Sequence, residues 1–212
     1  MDLTNRPRGN RDAETVKAKL ARLGEPHIAP ITRLVEEIRA LAGRPELPYV
    51  DPTFGGVNAE VLFLFDTPTR AAATSGMLSL DNDDAIAANV WEFSRASGLD
   101  RQRCVHWTAV PWSVDHGRGS RKVERPDVES ALPWLARFID LLPQLKLVVT
   151  AGEIARLALS LYLLREDARL IPWLAVAPPN TRLRSTSPLL WNDIPRAFDV
   201  AARITALERG HL

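Results

Sequence analysis

The sequence predicts an α/β fold, a three-layer α/β/α sandwich around a central, mainly parallel sheet of four strands. Two observations lead there. Four short apolar runs, residues 61–65, 104–110, 145–151 and 170–176, show little polar alternation, as strands covered on both faces do. Between them lie stretches whose apolar residues recur at helical spacing. Strands that alternate with helices form βαβ units with right-handed crossovers.

Taken in order, residues 1–10 are polar, hold Pro7 and Gly9, and read as a mobile tail. Residues 13–23 and 28–42 read as helices. In the second, Ile31, Leu34, Ile38 and Leu41 share a face, and Gly43 is a stop signal. After the first strand, residues 84–97 carry Ile86, Val90 and Trp91 and end at Gly98. The helix over 128–142 follows Pro126-Asp127 as a start signal and aligns Leu132, Leu135, Ile139 and Leu142. Residues 153–164 form another. A last helix is expected after an Asn192 cap, with Ile194, Phe198, Ala201 and Ile204 on one face. This divides the chain into an N-terminal tail and helices, 1–44, that pack on an α/β/α domain, 45–212. No internal repeat or low-complexity segment interrupts it.

Composition narrows the function classes. The chain has 212 residues, 46% apolar and 25% charged, as globular proteins do. A single cysteine, Cys104, excludes an intrachain disulfide framework and a Cys-rich metal site. The four histidines include no closely spaced pair, so neither a metal nor any other cofactor is expected. No apolar run reaches the roughly 18–20 residues of a membrane span, and the N-terminus lacks the apolar stretch of a secretory signal. A monomeric cytoplasmic protein is the expectation. With 27 Lys+Arg against 26 Asp+Glu, the net charge is +1, which argues against holding nucleic acid by bulk electrostatics.

Ligands of such sheets bind at the carboxyl ends of the strands, so the chemistry belongs to the segments after each apolar run. These are Asp66-Thr67-Pro68-Thr69-Arg70, Pro111-Trp112-Ser113-Val114-Asp115, Gly152, and the long stretch 177–191 with Ser185-Thr186-Ser187-Pro188. The signatures of dinucleotide and phosphate loops are absent, and so is a nucleophile elbow. The run Asp81-Asn82-Asp83-Asp84 reads as a turn and helix cap, with Asp81 or Asn82 as an alternative cleft residue. His106, within a strand, reads as a core histidine, and Cys104 as a buried inert thiol.

In order and spacing these segments resemble the uracil-DNA glycosylase superfamily. Phe65-Asp66-Thr67-Pro68-Thr69 stands where that family has its Gly-Glu-Ala-Pro-Gly or Gly-Gln-Asp-Pro-Tyr motif. The preceding 48–56 looks like the lead-in of bacterial members, and the segment 79–91, Trp107-Thr108-Ala109-Val110-Pro111-Trp112 and Ser185-Thr186-Ser187-Pro188-Leu189 are similar to later parts of the pattern. The resemblance covers residues 45–207. It departs at chemically important places: the second position of the first motif is Thr67, the base-stacking aromatic maps to Met77 unless Phe54 takes that role, the edge-reading asparagine maps to Thr108, and the histidine of the last motif is Ser185.

The resemblance implies hydrolysis of the N-glycosidic bond of a uracil flipped out of DNA, in base excision repair, without a cofactor. It implies Asp66, Asn82 and Ser187 as catalytic residues, with Thr67, Pro68, Thr69, Phe54, Met77, Thr108 and Ser185 around the base. Arg118, Arg121, Lys122, Arg184 and Leu189 would contact DNA, Leu189 by wedging into the vacated stack. The replaced motif residues leave open a member that binds uracil-containing or abasic DNA without releasing a base. A domain acting on a small molecule or protein is a third reading, unsupported by any cofactor signature. The locally basic strip 118–125 reconciles DNA with a net charge of +1: few phosphates engaged, and a salt slope of about 0.9 for each.

Overall fold

A computed structural model describes residues 6–114 and 122–207. Its main sheet contains β2 (Val61–Phe65), β4 (Cys104–Thr108), β5 (Leu147–Ala151) and β6 (Trp173–Val176), in the spatial order β4-β2-β5-β6 with every neighbouring pair parallel. Phe65 stands opposite both Thr108 and Ala151, and Ala151 opposite Val176, so the four carboxyl ends are level. A separate parallel pair joins β1 (Tyr49–Val50) to β3 (Met77–Leu78).

The helices are α1 (Ala13–Leu20), α2 (Ala29–Leu41), α3 (Arg70–Ser75), α4 (Ala85–Ser97), α5 (Arg125–Asp140), α6 (Glu153–Leu163), α7 (Thr181–Thr186) and α8 (Pro188–Ala206). One sheet face is covered by α4 and α8: Phe63 of β2 stacks on Phe198 of α8 at 4.6 Å, and Phe93 of α4 lies 5.7 Å from the same ring. The other face carries α5 and α6. There Trp107 of β4 stacks on Phe138 of α5 at 4.3 Å. These are the three layers expected from the sequence. Ile28, Ile31, Leu34, Val35 and Ile38 of the N-terminal part belong to the same buried core as the strands.

Most expected strands and helices are a few residues off at one end or both, the second and third strands being Cys104–Thr108 and Leu147–Ala151, and three differences have a clear physical reason. The last helix begins at Pro188, because the fixed φ of proline suits a first helical turn and Ser187 occupies the N-cap; Asn192 is inside it. A short α7, capped by Asn180 through its bond from the Arg182 N–H, precedes it. The fourth strand starts only at Trp173, because Pro172 offers no N–H to the ladder.

Candidate functional site

Chain direction places a crevice at the carboxyl edge of the sheet. From β2 the chain runs to α3 and α4 on one face, while the neighbouring β5 runs into α6 on the other. Adjacent strands whose loops part in this way leave a ligand crevice. A cavity of about 250 Å³ opens there, at the small end of ligand pockets. Phe65, Asp66, Thr67, Pro68 and Thr69 form one wall, Leu78, Ser79, Leu80 and Asn82 another, and His106 and Thr108 of β4 the floor. The first turns of α4 and the prolines Pro178 and Pro179 close it, and the Asn89 amide of α4 donates to the Pro179 carbonyl at 2.8 Å.

Asp66 extends beyond the end of β2 to the start of α6, where its Oδ1 accepts from the Ala155 N–H at 2.8 Å. The carboxylate thus sits at the positive end of that helix. Gly152 makes room for it: its φ is +128°, and a Cβ there would collide with the carboxylate. Burial raises the Asp66 pKa above the usual carboxylate range, while the N–H groups of Ala155 and Ile154 pull it back. Thr69 caps α3 through the Ala72 N–H and donates to Asp84 at 2.8 Å; Asp84 in turn caps α4 through the Ala87 N–H. Asp83, by contrast, caps nothing. It pairs with Arg8 and Arg11 of the N-terminal segment.

Asn82 is 3% exposed. Its Nδ2 donates to the Met77 carbonyl at 2.8 Å, while its Oδ1 accepts from Ser75 Oγ and Asn10 Nδ2, both at 2.8 Å. Beneath this wall lies a buried charge cluster. Lys19 Nζ contacts Asp51 at 2.7 Å and Asp81 at 2.6 Å, and Arg101 pairs with the same two carboxylates at 3.0 and 2.9 Å. Burial alone would raise the Asp51 pKa, but the charges of Arg101 and Lys19 hold it well below the usual range. Residues 8–10 of the segment expected as a mobile tail are therefore held to the wall, through Arg8 and Asn10, as is the adjoining Arg11.

The cluster reaches the cavity floor through aromatic contacts. The Arg101 guanidinium lies over the Phe54 ring at 5.0 Å, and Phe54 stacks on His106 at 4.4 Å. Burial, reinforced by the Arg101 charge, pushes His106 down to about 3, so its imidazole is neutral at physiological pH. Thr108 Oγ1 is buried and has no hydrogen-bond partner among the described residues.

The residues expected from sequence thus separate into groups. Asp66, Thr67, Pro68, Thr69, Asn82 and Thr108 share the cavity. Phe54 and Met77 do not reach it: Phe54 is buried between His106 and Arg101, and Met77 is wholly buried in β3. Phe65 is the aromatic residue of the first motif that lines it instead. Ser187 stands at the corner between α7 and α8, outside the lining, and Ser185 donates back to the Arg182 carbonyl within α7. Arg184, Leu189 and Lys122 are exposed. Arg118 and Arg121 lie outside the described residues. His106 and Phe65 carried a usable signal, since each lies on the same strand face as, or next to, a residue already singled out. Lys19, Asp51 and Arg101 carried none. They are far apart in sequence and meet only in the fold. Among the described residues no group of His, Cys, Asp and Glu is arranged to hold a metal ion, and no helix is long and apolar enough to cross a membrane.

Protein-family profiles and curated protein sequences give no match to the chain. Solved structures do: the wild-type SMUG2 from Pedobacter heparinus matches at a TM-score of 0.50 over 88% of this chain and 86% of its own, with 10% sequence identity. At that identity the likeness shows a shared fold.

Proposed function

We propose that the chain is a DNA glycosylase that takes a flipped uracil into the 250 Å³ cavity and hydrolyses its N-glycosidic bond. One observation carries this reading above the others. The motif that resembles the uracil-DNA glycosylase superfamily, Asp66 to Thr69, forms a wall of a small cavity at the switch point of a SMUG2-like fold. Base release breaks the bond between the sugar C1′ and the base nitrogen, leaving the electron pair on the base and positive character on the sugar. Water then adds at C1′ and loses a proton. Asp66, the carboxylate of the first motif, suits water orientation and charge compensation on the sugar side.

Negative charge on the leaving base needs donors, each worth about 3 kcal/mol in barrier. The backbone N–H groups of Thr67 and Thr69 suit that role; Pro68 has none. Neutral His106 can donate without carrying a charge into the cavity, which would make a site lacking the usual motif histidine workable. Asn82 and Thr108 read the base edge, and Phe65 takes the ring contact first assigned to Phe54 or Met77. On the α7–α8 corner, Leu189 is 81% exposed and Leu190 51%, an apolar pair between Arg184 and the body of α8, suited to wedging between bases. Ser185 and Ser187 share that corner and suit phosphate contact better than base contact. Lys122, with Arg118 and Arg121, would add phosphate contacts.

A second reading, binding of uracil-containing or abasic DNA without base release, is favoured by one observation: the Asp66 carboxylate already serves the N-terminus of α6. A duplex bearing one uracil, incubated at enzyme excess and then treated with alkali, separates the two. Strand scission is expected, and Asp66→Asn, which keeps an oxygen for the Ala155 N–H, lowers the rate about 10²–10³-fold. An intact strand for every deaminated base overturns hydrolysis. Retention of abasic over intact duplex in a gel shift then leaves the binding reading.

A further inference from the structure

Three polar side chains, Lys19, Asn10 and Asn82, form a directional chain from the buried charge cluster to the cavity wall. Lys19 is fully buried and its ammonium can only donate, so the atom of Asn10 facing it at 3.0 Å must be Oδ1. That turns the Asn10 amide nitrogen outward, and it must meet an acceptor. It meets Asn82 Oδ1 at 2.8 Å, which also accepts from Ser75 Oγ. With both lone pairs of Oδ1 taken, and one hydrogen of Nδ2 on the Met77 carbonyl, the Asn82 amide cannot turn over without opposing donor to donor and acceptor to acceptor. One hydrogen of Nδ2 remains without a partner among the described residues, on a side chain that lines the cavity.

We infer that Lys19 and Asn10 are positioning residues which fix Asn82 as a hydrogen-bond donor to the cavity, so that the pocket selects a ring edge bearing a carbonyl oxygen and rejects one bearing an amino group. The orientation is set by charge rather than by shape, since Asp51 and Asp81 hold the Lys19 ammonium in place through ion pairs at 2.7 and 2.6 Å. Uracil and cytosine differ in this way at one edge, so the site discriminates against the unmodified base. Only the identity of the ligand rests on the glycosylase reading. The locked amide does not.

The test therefore has two arms, both on the full chain. In the first, ¹⁵N NMR follows the side-chain amide pair of Asn82, assigned by its loss in Asn82→Ala. The wild-type pair is expected to be widely dispersed and slow to exchange. Asn10→Ala collapses it toward the position of a free amide, and Asn10→Gln, which keeps both donor and acceptor, preserves it. A pair unchanged in Asn10→Ala overturns the relay, whatever the protein cleaves. The second arm compares affinities for free uracil and free cytosine, and base release from the corresponding duplexes. Asn10→Asp accepts from Lys19 but presents only acceptors to Asn82, and is expected to lower the uracil-to-cytosine ratio about tenfold, the worth of one net hydrogen bond. An unchanged ratio with a collapsed pair overturns the role in selectivity. Wild-type protein that binds and releases neither base overturns the base-pocket reading, and the ligand named here with it, while the amide pair decides the relay by itself.

Discussion

His106 is the side chain whose surroundings make the clearest demand on solution behaviour. Its pKa falls to about 3 in the folded chain, against an ordinary value of 6.5. Between those values the unfolded chain binds a proton that the folded one refuses. Stability is therefore complete above pH 6.5 and declines as the pH falls, by up to about 1.4 kcal/mol per unit. From pH 6.5 to 5 the carboxylates of the unfolded chain, which titrate at about 4, stay largely ionised, so the decline in this window reports His106 above all. Urea unfolding across that range should show the decline in the wild type and a flat profile in His106→Phe, which keeps a ring against Phe54 and Phe63. Equal slopes in the two would place the titrating group elsewhere. The same neutrality suits His106 to the proposed chemistry, in which developing negative charge is met by hydrogen bonding. Asp66 shows the complementary case. It is a carboxylate that burial would neutralise, kept usable by the N–H groups of α6 and by the missing side chain at Gly152.

At the scale of elements, strands and helices were legible where periodicity and breakers agreed. Val61–Phe65 is bounded on both sides by polar residues and was read to the residue; α4 was read through its Asp84 cap and Gly98 stop. Legibility failed where a local signal was ambiguous. Asn192 is a good cap, but Pro188 is a better first-turn residue and the helix takes the earlier start. The short α3 and the β1–β3 pair have too few residues for a periodic pattern; the pairing of Tyr49 with Met77 is a tertiary event. The cavity was half legible. Its Asp66–Thr69 wall follows a strand and announces itself, whereas the support of Asn82 by Asn10, Lys19 and Asp51 depends on contacts across 72, 9 and 32 residues of chain. The α7–α8 corner carries the element-level prediction. Leu189 is 81% exposed, so Leu189→Ala should leave the melting temperature nearly unchanged and slow base release from duplex about tenfold, with little effect on single strands, where no stack must be filled. Equal effects on both substrates would remove the wedge from the account.

Across the whole molecule, one core joins the N-terminal helices to the sheet, and one cavity gathers the segments that carry chemistry at its carboxyl edge. The net charge of +1 fits such a device. The proposed DNA binding relies on a pocket and a wedge, with a small number of phosphate contacts, rather than on a broadly basic surface. The fold shared with SMUG2 is compatible with that use, but the proposed function rests on the cavity. The central claim is that this cavity receives a base drawn out of DNA. A crystal structure of the full chain with duplex bearing a hydrolysis-resistant 2′-fluorinated deoxyuridine tests it most directly. The account predicts the uracil inside the cavity, its ring against Phe65, one carbonyl on Asn82 Nδ2 and the sugar facing Asp66. A uracil still stacked in the duplex, or bound outside the cavity, would contradict it.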